Sequence, residues 1–274
     1  GFRSYDRYID DYTFLAPSYS QAQDFVNRLQ MHLHDFELQL NPTKTKIQAL
    51  PAPEKPNWVS QLILHQPPVG ATVAQLNAYM DYAIDLSGRH SNGSVLQYAL
   101  TLVVGRADLN EILPAVSSRL LNLVFHRPAL MPVFVRVLRI VGYDVPQLHD
   151  ALAKITKAAL SGMKSDVATW GIYASWCAGL PVGQEIVDLA IERQEVVPLT
   201  LLLTSGAWGG DAVNEYLSAV VEQGDAYDRD AHWLLAYEAY ARGLFEEHRD
   251  PSFEIMRDNE VRFVLADGWV PSIS

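Results

Sequence analysis

The sequence contains one cysteine, Cys177, and no long hydrophobic run. A single cysteine cannot form an internal disulfide, which is typical of proteins in a reducing compartment. No apolar run approaches the roughly 18 residues that a transmembrane helix needs. We therefore expect a cytoplasmic protein with no membrane partner. The chain also lacks a Cys/His cluster, a Gly-rich phosphate loop and a nucleophile elbow, which excludes the site classes that depend on them.

Basic charge is scarce in the last third of the chain. Residues 1–56 hold six basic and seven acidic residues, a net charge of −1, and residues 57–182 hold nine and seven, a net charge of +2. Residues 183–274 hold six basic and eighteen acidic residues, a net charge of −12. The acidity of the whole chain, whose net charge is −11, therefore lies in its last third. Because a polyanion avoids such an acidic surface, any nucleic-acid contact is expected in the first two thirds.

The first 50 residues mix strand and helix patterns. The stretch YDRYIDDYTFL, residues 5–15, predicts two short strands with an Asp-Asp pair at their turn. A helix follows, with Ser20 as its expected N-cap and one apolar face. Asn41 and Pro42 predict a turn, and residues 45–50 predict a third short strand.

A proline-rich stretch, PAPEKP at residues 51–56, separates this part from a helical remainder. We predict an α+β fold with two domains, 1–56 and 57–274, the second mainly α-helical and solenoid-like. Asp166, Asp211 and Asp230 are the expected N-caps in it. The predicted helices cover 72–87, 94–104, 109–126, 130–141, 146–161, 166–178, 183–192, 196–205, 211–223 and 230–246.

The adjacent carboxylates Asp10 and Asp11 are the first candidate site. Asp is common in exposed turns, so a purely structural hairpin turn is one interpretation. The aromatic and β-branched residues on both sides favour another, in which a tight turn presents two oxygen ligands to a hard cation. Two Mg²⁺ ions held in this way activate a hydroxyl nucleophile and stabilise a leaving pyrophosphate.

Two motifs resemble those of reverse transcriptases. The stretch from Arg7 to Asp11, Arg-Tyr-Ile-Asp-Asp, is similar to the Tyr/Phe-x-Asp-Asp motif of the palm hairpin and to its bacterial form. After an intervening helix, the stretch from Leu40 to Thr45, Leu-Asn-Pro-Thr-Lys-Thr, resembles the Leu-Asn-x-x-Lys-Thr motif of the family. The two motifs stand in the order and at the separation that the family shows.

The resemblance implies a role for each matching residue. Asp10 is the implied ligand of Mg²⁺ or Mn²⁺, and its neighbour Asp11 is the implied weaker ligand. Tyr8 and Ile9 would lie near the primer end and the incoming dNTP. Lys44 would lie near the triphosphate and donate a proton to the departing pyrophosphate. The implied activity is RNA-directed DNA polymerisation on an RNA or single-stranded DNA partner.

The resemblance covers only about the first 50 residues. The fingers and first palm strands of the family, with another metal-binding aspartate, should precede the hairpin. We therefore expect the chain to be the C-terminal part of a longer enzyme and to be inactive alone. The helical region that follows resembles prokaryotic abortive-infection reverse transcriptases, which implies antiphage defence.

The helical region offers a second candidate surface. Arg136 and Arg139 lie three residues apart, as do Lys154 and Lys157, so each pair shares a helix face that could contact phosphates. A solvated helix face explains the same spacing. Trp170, Tyr173 and Trp176 also recur every three residues, either as packing between helices or as stacking platforms for bases.

Two rival functions stay open for the helical region. Arg119 with His126, and Arg242 with His248, loosely match the Arg-x(4–6)-His pattern of HEPN-type RNases, although Leu120 and Gly243 replace the usual polar residue. Alternatively, the region is a nucleic-acid-binding or oligomerisation scaffold that assembles the protein as a homo-oligomer.

Overall fold

The computed structural model describes residues 5–51, 57–90, 94–246 and 251–264. It divides the chain into two compact units, Gly1–Ser60 and Gln61–Ser274. The expectation of a mainly helical α+β protein with an N-terminal β-hairpin is confirmed. Among the described residues, no helix has the length and apolar character required to traverse a bilayer.

The first unit contains a hairpin and a long helix. Strands β1 (Tyr5–Tyr8) and β2 (Asp11–Phe14) pair antiparallel, with Tyr5 opposite Phe14 and Tyr8 opposite Asp11. Helix α1 (Tyr19–His34) follows, and the rings of Phe14 and Phe25 stack with centroids 4.4 Å apart. Its N-cap is Ser18, whose hydroxyl accepts a hydrogen bond from the Gln21 amide. The prediction of Ser20 was wrong by two residues because Ser18 already has the extended backbone of a cap.

The third strand predicted at residues 45–50 does not form. A strand requires a neighbour that pairs with its backbone, and in the described part of the chain the sheet contains only β1 and β2. The segment therefore has the β-branched composition of a strand, but no strand lies beside it in the described residues to pair with its backbone.

The second unit is an array of helices. Its N-terminal helix α2 (Asn57–Leu64), within which the division of the chain falls, was not predicted, nor was α14 near the C-terminus. The elements after α2 are α3 (Val73–Arg89), α4 (Val95–Val104), α5 (Leu113–His126), α6 (Met131–Val141), α7 (Leu148–Ser161), α8 (Ser165–Cys177), α9 (Gln184–Glu192), α10 (Val196–Thr204), α11 (Asp211–Leu217), α12 (Ala226–Ala231), α13 (Trp233–Ala241) and α14 (Pro251–Asp258).

The helices of this unit contact one another in two rows. In the first row, successive contacts join α3, α5, α7 and α9. In the second row, they join α4, α6, α8, α10 and α13. Cross-contacts pair α3 with α4, α5 with α6, α7 with α8 and α9 with α10. Helix α10 packs against α8, α9 and α13, and accordingly all of its residues from Pro198 to Leu203 are buried.

Three predicted N-caps were wrong. Asp166 and Asp211 lie in the first turns of α8 and α11, where a carboxylate still interacts favourably with the helix dipole. Asp230 lies inside α12, because the predicted helix 230–246 is divided at His232. The residue that caps α12 is Asp225, whose carboxylate accepts a hydrogen bond of 2.9 Å from the Asp228 amide.

A C-terminal segment, residues 261–264, docks onto α13 through a buried carboxylate. Glu238 is fully buried, forms an ion pair with Arg242 and accepts hydrogen bonds from the amides of Phe263, at 2.7 Å, and Val264, at 3.1 Å. Arg242 donates in turn to the Val264 carbonyl at 3.1 Å. The Tyr237 hydroxyl donates to the Val261 carbonyl at 2.7 Å. These contacts fix an irregular segment to a helix without pairing it into a sheet.

Candidate functional site

The hairpin presents Ile9 and Asp10 as a two-residue turn, because Tyr8 pairs with Asp11. Ile9 has φ +55°, in the left-handed region that β-branched residues rarely adopt. Such a conformation costs about 1–2 kcal/mol for an L-residue, and the primed turns of tight hairpins usually have Gly there. Backbone strain of this kind occurs preferentially at functional sites, where the surrounding structure maintains it.

Arg7 stabilises this turn from the first strand. Its Nε donates a 2.9 Å hydrogen bond to the Ile9 carbonyl, and its guanidinium carbon lies 5.5 Å from the ring centroid of the cross-strand neighbour Tyr12. The strained residue is therefore held by its own neighbours. From the sequence, Arg7 was identified only as part of the motif. Its positioning role was missed, although an Arg two residues before a hairpin turn is within reach of the turn carbonyls.

Asp10 and Asp11 both lie on the surface of the hairpin. Among the described residues, neither carboxylate has a hydrogen-bond or ion-pair partner. Their oxygens are therefore available, and carboxylate oxygens suit Mg²⁺ or Mn²⁺. These two carboxylates fit such an ion but supply only part of its ligands. In the described ranges, no group of three Asp, Glu, His or Cys side chains lies close enough together to hold a metal ion. Tyr8 and Ile9 lie beside them and are 75% and 72% exposed.

Lys44 lies at the tip of a turn that Asn41 organises. The Asn41 side-chain oxygen accepts from the Thr43 amide at 3.0 Å and from its hydroxyl at 2.7 Å, while the Asn41 carbonyl accepts from the Thr45 amide at 2.9 Å. The Gln30 side chain of α1 anchors the segment by accepting from the Leu40 amide at 3.0 Å. Lys44 is exposed, and in the described part of the chain it has no ion pair with Asp10 or Asp11.

The four basic residues predicted in the helical unit have different surroundings. Lys157 forms an ion pair with Glu185 at 2.5 Å, which reduces its availability to a phosphate. Lys154 is exposed on the same helix, α7. Arg136 and Arg139 are half-buried on α6, and Arg139 donates to the Tyr173 hydroxyl of α8 at 2.5 Å. Arg139 therefore contacts an aromatic residue, whereas the Lys154–Lys157 pair is partly neutralised.

The two Arg–His pairs are engaged differently from a nuclease site. Arg119 donates to the Asn77 side chain at 2.7 Å and pairs with Asp81, so it ties α5 to α3, while His126 is exposed at the end of α5. Arg242 forms an ion pair with Glu238. His248 lies outside the described residues.

The chain was compared with family models, curated proteins and solved structures, and none of them matches it.

Proposed function

We propose that this chain is the C-terminal portion of an RNA-directed DNA polymerase that transfers nucleotides by a two-metal mechanism. The observation that carries the proposal is the strained hairpin turn, which exposes Asp10 and Asp11, two carboxylates without a partner among the described residues. An exposed Ile at a left-handed position is costly and contributes nothing to a core. Its presence is understandable if the turn must present a particular backbone and side-chain arrangement to a substrate.

The chemistry assigned to these residues follows from their functional groups. Asp10 and Asp11 would hold Mg²⁺ or Mn²⁺, and a bound ion would activate a primer hydroxyl and stabilise the charge of the pyrophosphate. Tyr8 and Ile9 contact the primer end and the dNTP. Lys44, a mobile cation on an anchored turn, protonates the leaving group. Because two carboxylates fill only part of an octahedral shell, we propose that this chain alone binds Mg²⁺ weakly and does not polymerise DNA.

The helical unit belongs to the same proposal. The two rows of contacting helices support an α-solenoid in which each helix pair stacks on the next. We propose that this solenoid guides nucleic acid in a cytoplasmic antiphage enzyme of the abortive-infection type. Because the ion pair with Glu185 reduces the availability of Lys157, phosphate contacts are assigned mainly to Arg136 and Arg139.

Binding of Mn²⁺ to this chain tests the metal site without requiring activity. We expect Mn²⁺ to broaden the NMR signals of Tyr8, Ile9 and Tyr12 before those of the helical unit. The double variant Asp10→Asn/Asp11→Asn should lose this selectivity, because the amide oxygens carry no charge. Asp24→Asn on α1 is the matched control, since Asp24 already pairs with Arg28 at 3.0 Å. Uniform broadening, or broadening that survives the double substitution, would contradict the assignment.

A further inference from the structure

Arg139 occupies an unusual position for a half-buried cation. It lies in the last turn of α6, its guanidinium carbon is 5.8 Å from the Tyr173 ring centroid, and it donates to the Tyr173 hydroxyl at 2.5 Å. Tyr143 and Cys177 also lie close enough to interact electrostatically with it. All of these partners are formally neutral, so they orient the guanidinium without cancelling its charge.

Six of the eleven arginines that the structure describes in the helical unit form an ion pair with an acidic residue, and Arg139 is not one of them. The paired residues are Arg89 with Asp85, Arg106 with Asp108, Arg119 with Asp81, Arg193 with Glu192, Arg242 with Glu238, and Arg257 with Asp258. In the part of the chain that the structure describes, no carboxylate lies within ion-pair distance of Arg139. A partly desolvated charge without a counter-ion favours binding of an external anion.

The Tyr173 ring that Arg139 contacts belongs to an aromatic cluster on α8. Trp170, Tyr173 and Trp176 of α8 pack edge to face, with centroids 5.8 Å and 6.2 Å apart, and all three are half-buried. Burial raises the pKa of Tyr173 to about 12 and raises that of Tyr143, so both hydroxyls stay protonated and add no negative charge. Partly exposed indole rings offer flat surfaces on which another planar ring can stack.

From this arrangement we infer a binding site for a small anion that carries a planar ring, which is the chemistry of a nucleoside phosphate. Arg139 binds the phosphate, Arg136 supplies a second positive charge one helical turn away, and the indole of Trp170 or Trp176 stacks on the base. One or two cations suit a single phosphate. The site deepens the proposed function, because it uses the arginines to which phosphate contacts are assigned there, but it does not require the metal site of Asp10 and Asp11.

Calorimetric titration of the full chain with dAMP in EDTA tests the site. We expect saturable binding by dAMP, with deoxyadenosine and inorganic phosphate each at least about tenfold weaker, because each offers only half of the contacts. Arg139→Gln should weaken dAMP binding by about tenfold or more. Arg257→Gln is the matched control: Arg257 also lies over a ring, 4.8 Å from the centroid of Tyr240, but Asp258 neutralises it.

A second set of titrations identifies the source of the phosphate. It also includes variants that test the site if Arg139→Gln does not fold. If dAMP and a short oligo(dA) bind equally per site, the ligand is a free nucleotide. If the oligonucleotide binds more tightly, the ligand is part of a strand, which supports the same chemistry. Trp170→Leu and Trp176→Leu, which keep Arg139, give a second test that does not need Arg139→Gln to fold, and at least one of them should weaken binding. No binding by either probe, or equal binding by the folded variants and the control, would overturn the inference.

Discussion

Replacing Asp10 with Asn in the full-length gene product is expected to reduce the rate of metal-dependent DNA synthesis by about 10³-fold or more. The change removes a charged metal ligand, and a metal ion contributes several kcal/mol of transition-state stabilisation, at about 1.4 kcal/mol per factor of ten. Asp10 is exposed and has no partner among the described residues, so the substitution should change stability by less than about 0.5 kcal/mol. Asp11→Asn should reduce synthesis less strongly, since Asp11 is assigned as the weaker ligand.

Primer extension with radiolabelled dNTP measures this effect, and Lys44 provides an independent check of the chemistry. Lys44→Arg keeps the positive charge but cannot readily release a proton, so we expect a loss of about 10²-fold in turnover with little change in dNTP affinity. Lys46→Arg, two residues away and equally exposed, is the matched control and should retain activity. Full activity of the Asp10→Asn enzyme would reject the proposed polymerase function, whereas full activity of Lys44→Arg would reject only the role of Lys44.

The local features of the fold could be predicted from the sequence. Alternating strand formers around an Asp-Asp turn predicted the hairpin, and apolar spacing with Gly and Pro boundaries predicted most helices to within a few residues. These signals depend on residues close together in the chain. The positive φ of Ile9 could not be predicted, because an Ile usually avoids that region and nothing in the local sequence requires it.

Features that depend on distant residues were missed. The segment at 45–50 has the composition of a strand, but no third strand lies beside it in the described residues. The helix predicted at 230–246 is divided at His232, whose ring contacts both the Asp228 carbonyl and the Tyr216 hydroxyl of α11. Arg139 was identified from its spacing to Arg136, but its aromatic partner Tyr173 comes from α8, 34 residues later. Such contacts follow from the packing of whole helices rather than from local propensity.

Glu238 was missed for the same reason, since a carboxylate in a helix normally faces solvent. Replacing Glu238 with Ala is expected to destabilise the protein by about 3–5 kcal/mol. The substitution leaves the partly buried Arg242 without a counter-ion and the amides of Phe263 and Val264 without an acceptor. Urea unfolding followed by circular dichroism measures the loss, provided that the slope of the transition stays unchanged.

A control with the same helical spacing separates burial from pairing. Asp85 and Arg89 are also four residues apart on one helix, but both are exposed, so Asp85→Ala should cost less than about 1 kcal/mol. The double variant Glu238→Leu/Arg242→Met should recover part of the Glu238→Ala loss, because it removes the unpaired charge along with its partner. Recovery would remain incomplete, since the two amides still lack an acceptor. If Glu238→Ala costs no more than Asp85→Ala, then the carboxylate does not hold the C-terminal segment on α13.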